Sequence, residues 1–131
     1  MILISCIDDK QGMMFGPRRQ SRDGVLIQDL VRLVGEKALF VSPYSAGLFP
    51  EGTPLSVVPD PGAAAGAGDY AFVEDTPLPA EGIEEVILYR WNRLYPATKF
   101  FTLSLEDFVR TEEENFPGSS HEKITRERYV K

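Results

Sequence analysis

The run Ile2 to Ile7 is apolar at almost every position and stops at Asp8 and Asp9. Successive side chains of a strand point to opposite faces, so a strand apolar in both alternating sets is buried on both sides. The chain therefore opens with a strand expected at the centre of a covered sheet in an α/β domain.

The following segments extend that layout. Lys10 to Arg19 contains Gly12, Gly16 and Pro17 and reads as a long loop. Ser21 or Asp23 can cap a helix in which Val25, Leu26, Leu30, Leu33 and Val34 recur at helical spacing until Gly35 stops it. Ala38 to Val41 and Leu55 to Val58 are predicted strands, with a short helical turn opened by Pro43 between them. Pro59 to Gly68 offers too little packing surface for an element and is expected as a flexible surface loop. Tyr70 to Val73, Val86 to Trp91 and Lys99 to Leu103 supply further strands.

From Phe108 to Val130 two polar-rich segments flank Pro117-Gly118-Ser119-Ser120, with Ile124, Arg126, Arg128 and Val130 sharing one face. That alternation predicts an antiparallel hairpin, and the same residues also accommodate a short C-terminal helix. The expected architecture is one α/β domain over residues 1–131, a single mixed sheet with flanking helices, closed by the hairpin.

Charge narrows the functions. Twenty acidic against 14 basic side chains leave a net charge of -6, which disfavours general nucleic-acid binding and anionic membranes. No apolar run approaches the roughly 18 residues of a membrane span. The opening MILISCID has no basic segment before its apolar run, so no signal peptide is expected and a cytoplasmic location is. The single cysteine, Cys6, sits in the first strand as a small hydrophobe, the pattern of a reducing compartment.

Within this acidic chain, Arg18-Arg19-Gln20-Ser21-Arg22-Asp23 places three guanidinium groups directly before a helix start. Unpaired amides, the helix dipole and flanking arginines suit an anion there, with Ser21 and Asp23 at the same tip. The arginines are equally able to bridge acids such as Asp8, Asp9 and Asp23 and pin the loop. His121 is the only histidine, so a general acid or base of that type must be this residue; a solvated turn histidine is the plainer reading. Trp91, within Tyr89-Arg90-Trp91-Asn92-Arg93-Leu94-Tyr95, offers a stacking surface beside guanidinium groups, or a core anchor at a strand end. Glu112 to Glu114 is a solvated charge run without metal-ligand spacing, and Gly62, Gly66 and Gly68 form no phosphate loop because no Gly-Lys-Ser or Gly-Lys-Thr follows.

Several segments in order resemble the dihydrofolate reductase family with its middle shortened. They are the first strand, the Asp9-Lys10-Gln11-Gly12-Met13-Met14 turn, the acidic helix start at Asp23, and Lys37 to Gly47. Ile83 to Trp91, Lys99-Phe100-Phe101, Leu105-Glu106-Asp107-Phe108 and the terminal hairpin follow. The resemblance covers about two thirds of the chain. It implies that fold, and it implies a nicotinamide cofactor and Asp23 as a substrate-holding carboxylate if the reaction is shared. The family's Gly-Gly pair and following helix are missing between Tyr70 and Ile83. Ser42-Pro43-Tyr44-Ser45 stands where a basic residue holds the cofactor phosphate, which makes Ser45 a candidate ligand contact. Arg18 and Arg19 occupy the region of an expected tryptophan. The fold is carried over and the cofactor left open.

RRQSRD, RWNRLYPA and GSSHEKIT together are also similar to small bacterial proteins that carry the name ribonuclease Z. One histidine cannot hold the two zinc ions that activity needs, so no metal site is expected. The leading expectation is a domain that binds a small anionic, nucleotide-like molecule between the Gly12 to Arg19 loop and the helix start. A nicotinamide-dependent reductase, and a protein interaction module using the hairpin or a sheet edge, are the alternatives.

Overall fold

A computed structural model describes residues 1–131. In chain order its elements are β1 (Ile2–Ile7), β2 (Gly12–Phe15), β3 (Arg18–Arg19), α1 (Gly24–Val34), β4 (Leu39–Val41), α2 (Pro43–Ala46), β5 (Leu55–Val57) and α3 (Pro61–Ala64). Then follow β6 (Tyr70–Phe72), β7 (Glu85–Arg90), β8 (Lys99–Phe100), β9 (Val109–Phe116) and β10 (Ile124–Val130). Seven strands form one mixed sheet in the order β5-β4-β6-β1-β7-β10-β9. β1 is central and pairs in parallel with β6 and β7, while the C-terminal hairpin adds β10 and β9 antiparallel.

β1 is central because both its faces are apolar. Leu3 and Ile7 pack with Met13, Val86 and Leu88 on one side, and Ile4 packs with Leu26 and Leu30 on the other. Burying each of those leucines contributes about 1.5–3 kcal/mol. α1 covers the second face. Asp23, with extended backbone, caps it, and Gly35 at φ 68° ends it by returning its N–H to the Val31 carbonyl. The buried stripe is Leu26, Ile27, Leu30 and Val34, and it also includes Asp29. That carboxylate is held by Arg126 at 2.6 Å and by the Tyr89 hydroxyl at 2.7 Å, so its burial is compensated.

The opposite face is closed by β2 and irregular segments rather than by a long helix. Met13, Met14, Leu78, Ile83, Phe101 and Leu105 cover it. Two expected loops also contain elements. Lys10 to Arg19 holds β2 and β3, which join β8 in a second, three-stranded sheet. Lys99–Phe100 thus pairs with β2 and not with the main sheet. The organiser is Asp8 at the end of β1: its carboxylate accepts the amides of Lys10, Gly12 and Tyr95 and the side-chain amide of Gln20. Hydrophobic periodicity carries no trace of such a polar hub.

Pro59 to Gly68 contains α3, capped by Asp60. A Cβ on Gly62 would come within 3.2 Å of the Pro77 carbonyl and of Pro79, so small residues here permit close packing that pattern reading counts as missing surface. No helix is long and apolar enough to cross a membrane.

Candidate functional site

Parallel strands in one sheet bring their C-terminal ends to a common edge, where ligand crevices of α/β sheets form. Asp8, Ser42, Glu74 and Trp91 lie just beyond the ends of β1, β4, β6 and β7. The tip of α1 and the hairpin turn, residues 117–123, meet at this edge through Asp23, Ser119, Ser120 and His121.

Asp23 is the hub of the site. Its Oδ1 accepts the amides of Val25 and Leu26 at 3.0 and 3.2 Å and that of Ser119 at 3.0 Å. Its Oδ2 accepts the Ser120 amide at 2.9 Å and lies 2.9 Å from His121 Nδ1. Burial alone would raise this carboxyl; the amides of Ser119 and Ser120, His121 and the Leu26 amide outweigh it and hold the group far below the ordinary carboxylate range. Gly118 is required for the approach, since a Cβ there would collide with the carboxylate, 2.9 Å from its Cγ.

The carboxylate accepts, so His121 Nδ1 carries the proton toward it and Nε2 of the neutral ring is an acceptor. Two hydroxyls reach Nε2: Tyr95 at 2.8 Å and Ser21 at 3.2 Å. Trp91 stacks on the imidazole with ring centroids 4.8 Å apart, and Tyr95 meets it edge-on. The three sequence segments RRQSRD, RWNRLYPA and GSSHEKIT therefore meet around one histidine, which is buried rather than solvated on a turn.

The remaining candidate residues divide differently. Arg19 forms a two-pronged ion pair with Glu74, at 2.8 and 3.1 Å, and lies over the Tyr44 ring. Ser45 is buried and donates to the same Glu74 at 2.6 Å. These two belong to a polar cluster beside the histidine site. Arg18 and Arg22 are exposed, and neither forms an ion pair. None of the arginines bridges Asp8, Asp9 or Asp23; Arg19 finds Glu74 instead.

The helix tip offers an anion no amides. Gly24 N–H is taken by the Ser119 hydroxyl at 3.0 Å, and those of Val25 and Leu26 by Asp23. Both Asp23 oxygens are likewise saturated from within the chain, which leaves that carboxylate no position for holding a substrate.

A cavity of about 20 Å³, the size of one water, lies between the two clusters and is lined by Cys6, Met13, Arg19, Ser21, Phe72 and Glu74 among others. Burial, and next the Glu74 charge, push the Cys6 thiol up against the opposing Arg19 charge. Through Arg22, Asp23, Ile27 and Leu48 this cavity adjoins an open groove of about 370 Å³ between α1 and the Gly47 to Pro50 segment. A larger depression of about 640 Å³ lies at the other end of β1 beside Met1; it is walled mainly by alanine, glycine and proline and gathers few polar groups. No three metal-ligating side chains come together.

Pattern and residue type pass over Glu74 and give Ser119 and Ser120 only a turn-forming role. For Glu74 the available signal is its place: an ionisable residue two positions past the end of a strand in a parallel sheet stands at the ligand edge.

No family model matches the chain, and no curated protein matches its sequence. Among solved structures it is similar to dihydrofolate reductase from Enterococcus faecalis complexed with NADP(H) and RAB-propyl. The two superpose with a TM-score of 0.65 at 8% identity, over 98% of this chain and 94% of that one. The fold is dihydrofolate-reductase-like.

Proposed function

We propose that this dihydrofolate-reductase-like frame binds a small anionic molecule with a flat apolar body in the groove between α1 and the Gly47 to Pro50 segment. The observation that carries it is Arg22: exposed, without an ion-pair partner, and at the lip of a groove floored by Ile27, Leu48 and Phe49. An unpaired guanidinium beside an apolar floor matches an anionic head on a ring system, such as a nucleotide. In a chain of net charge -6, the unpaired Arg22 guanidinium supplies this groove with a positive charge that favours an anion.

Titrating adenosine monophosphate into the protein and following Trp91 fluorescence tests this reading. Binding that weakens at least about tenfold in Arg22→Ala, with the melting temperature unchanged, supports it. No binding at millimolar nucleotide rejects it.

The fold favours a second reading, a reductase using a nicotinamide cofactor. The residues present do not fit that group at the sheet edge. The space above Cys6 is the size of one water, and the Arg19–Glu74 pair fills the ground around it. Quenching of Trp91 by reduced nicotinamide dinucleotide phosphate at micromolar concentration would restore this reading.

A further inference from the structure

Ser21, His121 and Asp23 stand in the order of a nucleophile, its base and the acid that orients the base. Ser21 Oγ is 3.2 Å from Nε2, and Asp23 Oδ2 is 2.9 Å from Nδ1 of the same ring. Such constellations are recognised by roles and geometry, on any fold and in any chain order. We infer that the chain hydrolyses a carboxylic ester of a small acid-bearing molecule, with Ser21 as the nucleophile. The anionic part of that substrate class rests on the binding reading above; the serine chemistry rests on side-chain geometry alone.

The cluster does more than fasten the hairpin turn to the helix. That clamp is complete with Asp23, the amides of Ser119 and Ser120, and Nδ1. Ser21 takes no part in it, because its hydroxyl contacts only Nε2 and the Tyr95 hydroxyl. A half-buried serine aimed at the acceptor nitrogen of an oriented histidine, in the wall of the small cavity that adjoins the groove through its neighbours Arg22 and Asp23, takes no part in that clamp. Trp91 against the ring face and Asp23 against Nδ1 leave the imidazole one orientation, which is the preorganisation a base requires.

In the reaction, Ser21 Oγ attacks the ester carbonyl carbon and its proton passes to Nε2. The C–O bond of the ester then breaks, and the leaving alkoxide takes that proton. Water repeats the exchange on the acyl-serine, releasing the acid and restoring the serine hydroxyl. Asp23 positions the ring and stabilises the imidazolium. Protonated Nε2 no longer accepts from Tyr95, whose hydroxyl, 3.4 Å from Ser21 Oγ, is then free to donate to the carbonyl oxyanion. The backbone N–H groups of Ser21 and Arg22 make no hydrogen bond to another residue.

The test uses the full chain with a fluorophosphonate probe, located by peptide mass spectrometry, and p-nitrophenyl acetate as a neutral ester. The expected result is label on Ser21 and burst release of nitrophenolate, both abolished in Ser21→Ala, which removes only two hydroxyl contacts and keeps the fold. His121→Gln should slow labelling about 100-fold or more; if that variant unfolds by circular dichroism, His121→Asn, whose side-chain amide can donate to Asp23 in place of Nδ1, takes its place with the same expectation, and equal labelling in that folded variant likewise overturns the inference. An unlabelled Ser21 in the folded wild type, label on Ser119 or Ser120 instead, or equal labelling in folded His121→Gln overturns the inference. Ser21 labelling without nucleotide binding rejects only the anionic-ligand reading, and nucleotide binding without labelling rejects only the serine chemistry.

Discussion

His121 Nδ1 lies 2.9 Å from Asp23 Oδ2, a contact across 98 positions that fastens the C-terminal hairpin to the start of the only long helix. Removing the carboxylate therefore costs more than a helix cap. Asp23→Ala loses the cap, worth about 1 kcal/mol, leaves the buried His121 donor unpaired at about 1–3 kcal/mol, and frees the part-buried amides of Ser119 and Ser120 at a smaller cost. A total loss of about 3 kcal/mol or more is expected in urea unfolding. A loss of only about 1 kcal/mol, the cap alone, would show that the turn finds other partners.

Gly118 gives a sharper test of the same junction. Gly118→Ala puts a methyl into the Asp23 carboxylate and should lower stability by about 1–3 kcal/mol. Gly47→Ala is the control: its φ is -70° and its Cβ would meet nothing within 4 Å. That change should be neutral or stabilising by about 0.4–1 kcal/mol. Thermal unfolding of the two variants side by side decides, and equal effects would contradict the packing.

Arg19 and Arg22 should separate in their effects. Arg19→Ala leaves the Glu74 carboxylate buried with the Ser45 hydroxyl as its close partner, and should cost about 2–3 kcal/mol, short of a fully buried pair because Arg19 keeps some exposure. Arg22→Ala should stay within about 0.5 kcal/mol. Urea midpoints measure both, and a reversed ranking would remove the structural role of the Arg19–Glu74 pair.

Acid should unfold the protein through Asp23 and Asp8. Burial opposes both shifts, but amide hydrogen bonds prevail: those of Ser119 and Ser120 onto Asp23, and those of Gly12, Lys10 and Tyr95 onto Asp8. Both carboxyls are thus depressed in the folded state. A depressed folded value means stability that is fully present above the unfolded value of about 3.9 and erodes as pH falls below it toward the folded values. Urea midpoints should be flat in these groups above about pH 5 and fall steeply below about 4. Asp8→Asn should reduce the slope of that fall, and an unchanged slope would show that Asp8 titrates normally.

How much of this was written along the chain follows the range of each force. The central place of β1, the extent of α1, and the hairpin were legible because burial of apolar residues leaves a period of two or 3.6 in neighbouring positions. Residues Ile2 to Ile7, and Leu26, Ile27, Leu30 and Val34, carry that signal whatever surrounds them. The second sheet and α3 were not legible, because a polar hub at Asp8 and the close approach of Gly62 to Pro77 have no periodicity. The candidate residues Ser21, Asp23, Trp91 and His121 could be named from their chemical types. Their meeting, with Tyr95 joining them and Arg19 turning away to Glu74, was decided only in three dimensions. Hydrogen bonds and ion pairs act over about 3 Å between groups of any sequence separation, so only the closed sheet, by fixing where β1, β6 and β7 end, determines which partners are in reach.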